Sequence, residues 1–169
     1  RNGIKRPIKV ISNGINLNMF NNMDAKKVHH KYFKDKNGKL ILFIGRISHE
    51  KNILYLLDCF KLVTDKLPKT KLLLVGDGPQ MAEVKNKINA LGLSENVILL
   101  GKINHDKLVN SSIFGACDLF VTASVTENQP MTILESQANG LVCVGLRAKG
   151  IPDLIKNRFN GFVVKVGNK

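Results

Sequence analysis

The chain is predicted to be an α/β protein, a Rossmann-like doubly wound parallel sheet. Two observations lead there. Short apolar runs recur along the 169 residues, separated by stretches whose apolar residues return at helical spacing. The runs are continuous, rich in Ile, Leu and Val, and do not alternate with polar residues, as expected of strands covered on both faces. Strand, helix and strand in repeated succession give a parallel sheet, because parallel neighbours need a crossover between them.

The elements follow in order. Strands are predicted at 8–11, 40–44, 71–75, 97–100, 119–122, 142–144 and 161–164. A helix over 53–67 places Ile53, Leu57, Phe60, Val63 and Leu67 on one face. A second, over 81–91, does the same with Met81, Val84, Ile88 and Leu91, and Gly92 stops it. A weaker helix covers 106–113. A fourth, over 131–138, is entered through Pro130 and stopped by Gly140. No internal repeat is visible.

Composition sets outer bounds. The length fits one domain, and 44% hydrophobic residues can fill a core. No apolar run approaches the ~18 residues of a membrane-spanning helix. The first residues are polar and basic with no apolar run behind them, which is not a signal peptide. The chain begins without Met and is read as a piece of something longer. Cys59, Cys117 and Cys143 each sit in an apolar run and show no metal spacing, so they read as buried structural thiols in a reducing, cytoplasmic setting. The net charge is +13. A nucleic-acid surface, an anionic membrane surface and a Lys-rich composition all produce such a charge. The cations are dispersed rather than clustered, which argues against nucleic acid and leaves the inner face of a membrane open.

In doubly wound sheets ligands bind outside the carboxyl ends of the strands, so the strand-to-helix loops carry the functional signal. The first reads Gly45-Arg46-Ile47-Ser48-His49-Glu50-Lys51-Asn52. It sets two cations beside a helix start, where free N–H groups and the positive dipole end already favour an anion. Arg46 and Lys51 therefore suit a diphosphate, although solvated surface charge is the plain alternative. The second loop, Gly76-Asp77-Gly78-Pro79, is a sharp turn and no P-loop. The fourth is the most informative: Glu127 lies in the loop and Glu135 inside the helix that follows. A carboxylate accepts two hydroxyls of a vicinal diol, and so suits ribose or hexose. Glu135 also lies beside an apolar helix face, where a carboxylate is costly unless paired.

Together these segments resemble the C-terminal domain of group 1 glycosyltransferases of the GT-B class. The shared features are Asn13-Gly14, Gly45-Arg46 with Glu50-Lys51, Gly76–Pro79, Asp118, Glu127 and Glu135 at the family's spacing, Gly150-Ile151-Pro152-Asp153, and Asn160-Gly161-Phe162. They cover nearly the whole chain in order. The resemblance implies a retaining transferase that moves a sugar from a nucleotide diphosphate, UDP foremost, to a glycolipid or cell-surface polysaccharide. It implies that Arg46 and Lys51 hold the diphosphate with the N–H groups of Met131 and Thr132. Glu135 would bind the ribose, Glu127 would be the catalytic residue facing the donor sugar, and Gly101, Lys102 and Ile103 would lie against the base. It implies no metal and no cofactor. Residues 1–20 would be the crossing segment from an N-terminal acceptor domain that is absent, so this single domain would be inactive alone. The chain departs from the family pattern at Asn16, where Asp is frequent, at Gln129-Pro130, where an aromatic residue and Gly are common, and at Lys149, where a Gly-Gly pair is frequent. Rival readings are a GT-B nucleotide-sugar epimerase, a nucleotide-binding regulatory module without chemistry, and a basic nucleic-acid-binding domain.

Overall fold

The computed structural model describes residues 3, 6–9, 11–33 and 37–167. Their strands are β1 (Lys39–Ile44), β2 (Thr70–Val75), β3 (Val97–Gly101), β4 (Leu119–Thr122), β5 (Val142–Leu146) and β6 (Gly161–Val164). They form one sheet in the order β3-β2-β1-β4-β5-β6, and every pairing is parallel. The helices are α1 (Ala25–Tyr32), α2 (Ile53–Lys66), α3 (Met81–Ala90), α4 (His105–Val109), α5 (Ile113–Ala116), α6 (Met131–Ala138) and α7 (Ile151–Leu154).

Successive residues of a strand point to opposite faces, and here both faces are buried. In β2, Leu73 and Val75 enter one core with Phe114, Ile133 and Ile151, while Leu72 and Leu74 enter a second core with Leu57, Phe60 and Val84. The second core carries α2 and α3; the first carries α4 to α7. This two-sided burial is why the strands read as unbroken apolar runs. The exception lies at one end. On the α2 side, Val121, Val144 and Val164 of β4, β5 and β6 are only partly covered and, with Cys59 and Val63 of α2, line an apolar groove of ≈ 460 Å³.

The chain runs outward from β1 to β3, returns to the middle at β4, and runs outward again. The loops leaving β1 and β4 therefore diverge at the sheet centre, which makes this the topological switch point.

Four predicted features differ. The described residues of 8–11 form no strand, and Val10 lies outside the described residues. The helix at 106–113 is two short helices, α4 and α5, broken at Ser112, whose φ is +56°. The Ser112 hydroxyl donates to the Asn21 carbonyl and accepts from the Asp24 N–H, which compensates the break. α1 was not anticipated because Val28 and Tyr32 alone face the core from its sequence of Lys and His. Residues before it also join the core: Phe20 meets Phe114 edge-on at 5.5 Å. Finally, Cys117 and Cys143 are buried, but Cys59 is only half-buried, beside the apolar groove.

Candidate functional site

β1, β2 and β3 end at one level. Gly45 N–H donates to the Val75 carbonyl and Gly76 N–H to the Gly101 carbonyl, at 3.0 and 2.8 Å. Gly76 has a φ of +140°, and a Cβ there would sit 1.8 Å from the Gly45 carbonyl oxygen, so only glycine permits this approach. The loops beyond are welded together: Ile47 donates to the Asp77 carbonyl and receives from Gln80 N–H, both at 3.0 Å. Between them opens a cleft of ≈ 370 Å³ lined by Arg46, Asp77, Lys102 and Ile103. Arg46 is exposed at its rim.

The β1 loop ends in a short 3-10 turn, His49–Lys51, just before α2. Ser48 is buried and its hydroxyl donates to Glu50 at 2.6 Å. That bond, the residue's own backbone N–H, and the charges of Lys51 and Arg46 hold the Glu50 carboxyl below its ordinary range. The Glu50 carbonyl in turn accepts from the Ser124 hydroxyl and the Val125 N–H, each at 3.2 Å, which fastens the β1 loop to the β4 loop.

Across that seam Lys51 and Glu127 form an ion pair, each with a 22% exposed side chain. Burial pushes the Lys51 ammonium below the ordinary lysine range, against the pull of Glu50. The Glu127 carbonyl accepts from Gly150 N–H at 2.9 Å, so the loop after β5 also braces the site. Gln129 accepts from Asn13 N–H at 2.8 Å, which ties the Asn13-Gly14 segment to the same loop.

α6 begins directly behind this loop. Pro130 occupies its N-cap and no side chain caps it. A helix's first N–H groups lack intrahelical partners, so those of Met131 and Thr132 are left without one by the helix itself. One turn further, Glu135 is buried at 6% exposure, and His105 Nε2 stands 2.8 Å from its Oε1.

The predicted residues thus fall into three groups: Arg46 with Lys102 and Ile103 at the cleft, Lys51 with Glu127 across the seam of the β1 and β4 loops, and Glu135 with His105. Gly101 ends β3 and turns the chain toward them. Sequence reasoning did not find His105, Ser48 or Gln129 as members. The cost of an unpaired carboxylate at position 135 was the one signal pointing to a partner. Among the described residues no group of three or more His, Cys, Asp or Glu could hold a metal ion, and no helix is long and apolar enough to cross a membrane.

A doubly wound parallel sheet whose switch point gathers cations, carboxylates and a free helix start is the class to which GT-B glycosyltransferases belong, and solved members of that class superpose on it. The structure of Anabaena Alr3699/HepE in complex with UDP-glucose aligns with a TM-score of 0.81 and 28% identity, covering 95% of this chain and 44% of that one. The chain belongs to the glycosyl transferases group 1 family, whose profile matches residues 24–169. It is similar to the UDP-Gal:alpha-D-GlcNAc-diphosphoundecaprenol alpha-1,3-galactosyltransferase of Escherichia coli, at 31% identity over 95% of this chain and 42% of the relative. It is also similar to the alpha-monoglucosyldiacylglycerol synthase of Streptococcus pneumoniae, at 32% identity over 94% of this chain and 36% of the relative. The chain thus spans less than half the length of these proteins.

Proposed function

We propose that this chain is the donor-binding domain of a retaining glycosyltransferase that moves a sugar from UDP to a glycolipid or cell-surface polysaccharide. The observation that carries this reading is the junction of Lys51, Glu127 and the uncapped start of α6 at the switch point. Relatives named for a UDP-Gal donor and for lipid-linked acceptors, and a structural neighbour holding UDP-glucose, support the donor and acceptor classes.

In this reading the diphosphate rests on the N–H groups of Met131 and Thr132 and is held by Arg46 and Lys51. The base lies against Gly101, Lys102 and Ile103, and Glu135 accepts the ribose hydroxyls. Glu127 faces the sugar. Transfer breaks the bond between the anomeric carbon and the diphosphate oxygen, which keeps the electron pair. The acceptor oxygen bonds that carbon on the same face and passes its proton to the departing diphosphate oxygen. Negative charge grows on the leaving diphosphate, where fixed cations and N–H groups stabilise it without a metal. The acceptor is held by an N-terminal domain, to which residues 1–20 are the crossing segment. A cytoplasmic site of action is supported by three free cysteines, and contact with an anionic membrane by the +13 charge and the lipid-linked acceptors of the relatives.

Calorimetry with UDP and uridine in EDTA tests this. UDP binds without divalent metal and uridine binds far more weakly. Equal affinity for the two, or binding of UDP only after magnesium or manganese is added, overturns the reading.

A further inference from the structure

Glu135 is an acidic side chain buried beside a helix–sheet interface. Its neighbours in α6, Ile133 and Ser136, are fully buried, and the Glu135 side chain is 8% exposed. An ionised carboxylate can only accept hydrogen bonds. The group at 2.8 Å from its Oε1 is the Nε2 of His105, which donates to the carboxylate in the tautomer that carries Nε2–H. The His105 side chain is 51% exposed, so the partner comes from the solvent side of the interface.

The backbone brings His105 there. β3 slips register at its end, with Leu74 opposite Leu99 but Val75 opposite Gly101. Gly101 then takes a φ of +68°, which turns the chain out of the sheet. Lys102 and Ile103 pass along the cleft, Asn104 is extended, and His105 opens α4. The imidazole thus joins the loop that walls the cleft to the helix that opens at the switch point.

We propose that His105 is a positioning residue for donor recognition: its Nε2–H fixes the Glu135 carboxylate in the orientation that accepts the ribose hydroxyls. This rests on the assignment of Glu135 made above. A glutamate's terminal torsion is broad, so a carboxylate with one oxygen anchored meets a diol in one orientation, and an unanchored one does not. The bond to His105 occupies one of the lone-pair directions of Oε1 and leaves Oε2 for the sugar.

The test measures affinities of the purified chain for UDP, 2′-deoxy-UDP and 3′-deoxy-UDP. The native chain prefers UDP over the deoxy forms by about tenfold, the value of one hydrogen bond to a charged group. Glu135→Ala and His105→Ala both abolish the preference. His105→Gln, which keeps an N–H donor, restores part of it, and His105→Phe, which keeps only the ring, does not. Thermal unfolding of each variant checks that the fold is kept. If the native chain shows no preference, or Glu135→Ala retains it, the ribose assignment itself fails. If Glu135→Ala loses the preference while His105→Ala keeps it, the ribose assignment stands and His105 is not its positioner. Equal values for His105→Gln and His105→Phe likewise overturn the proposal.

Discussion

Lys51 and Glu127 form an ion pair across the point where strand order reverses, the cation from the loop after β1 and the carboxylate from the loop after β4. Both side chains are largely buried, so the pair is less screened than a surface one, and each charge has lost much of its water. Burial accordingly pushes the Lys51 ammonium below the ordinary lysine range despite the nearby Glu50. A diphosphate reaching the start of α6 offers Lys51 a doubly charged partner in place of a singly charged one. In the proposed reading, the pair holds a cation and an acid at the switch point until a donor separates them.

This arrangement predicts opposite effects at its two ends. Lys51→Ala weakens UDP binding roughly tenfold to a hundredfold, the loss of a charge-assisted hydrogen bond. Glu127→Gln removes a competing anion, so UDP binds at least as tightly as to the native chain. The same change is expected to lower the preference for a UDP-sugar over UDP if Glu127 faces the sugar as proposed. Titration of both variants with UDP and UDP-glucose reads this out. Equal weakening of UDP in both variants would mean that the pair is a structural clasp and no more.

Arg46 stands apart at the rim of the ≈ 370 Å³ cleft, and the described structure gives its side chain no ion-pair partner. Arg46→Ala is expected to cost UDP about tenfold to a hundredfold and uridine nothing. A parallel loss for uridine would assign Arg46 to the nucleoside or to folding instead.

The strands of this protein were legible because parallel strands buried on both faces cannot hide their composition: Leu119–Thr122 and Gly161–Val164 were read to the residue, and the others to within two. α6 was equally legible from Pro130 and Gly140. Elements held by few contacts were not. α1 presents mostly Lys and His, and α5 is only four residues long. At the site, Arg46 and Lys51 stood out as two cations beside a helix start, Glu127 and Glu135 as carboxylates around the start of α6, with Glu135 costly there unless paired. Pairing was hidden, since Lys51 meets Glu127 across 76 residues and His105 meets Glu135 across 30. Nothing in a single chain's periodicity reports contacts between loops of separate crossovers.

The loop carrying Glu127 is held from behind by Gly150. A Cβ at position 150 would lie 1.5 Å from the Asn128 carbonyl oxygen, while Gly150 N–H holds the Glu127 carbonyl. Neither backbone can yield without breaking that bond. Gly150→Ala is therefore expected to destabilise by at least about 2 kcal/mol, lowering the melting temperature by roughly 4–8 °C for a chain of this size, and to weaken UDP-glucose more than UDP. Gly14→Ala meets no atom within 4 Å and is expected to leave melting unchanged. Identical melting curves for the two variants would contradict the close packing of the β4 and β5 loops.

The last prediction concerns the thiols and separates the two faces of the sheet. Burial pushes the Cys143 thiol up to about 12, and burial together with the Asp118 carboxylate does the same for Cys117. Only the thiolate attacks a disulfide reagent, so both are inert at pH 8 while the chain is folded. Cys59 lies half-buried beside the apolar groove on the opposite face. An aromatic disulfide reagent is expected to titrate one thiol per native chain and three after denaturation in guanidinium, and mass spectrometry of the native adduct places the label on Cys59. The raised values also set a pH limit. An unfolded thiol ionises near 9.0, whereas these two stay protonated in the fold until about 12. The stability they confer is complete below pH 9 and is lost between pH 9 and 12, as proton release favours the unfolded chain. Cys143→Ala lowers stability at neutral pH through the lost packing, yet its stability falls less steeply over that alkaline window. A native chain that yields three rapid thiols at pH 8, or a Cys143→Ala variant with an unchanged alkaline slope, would show that the core around β5 is open to water.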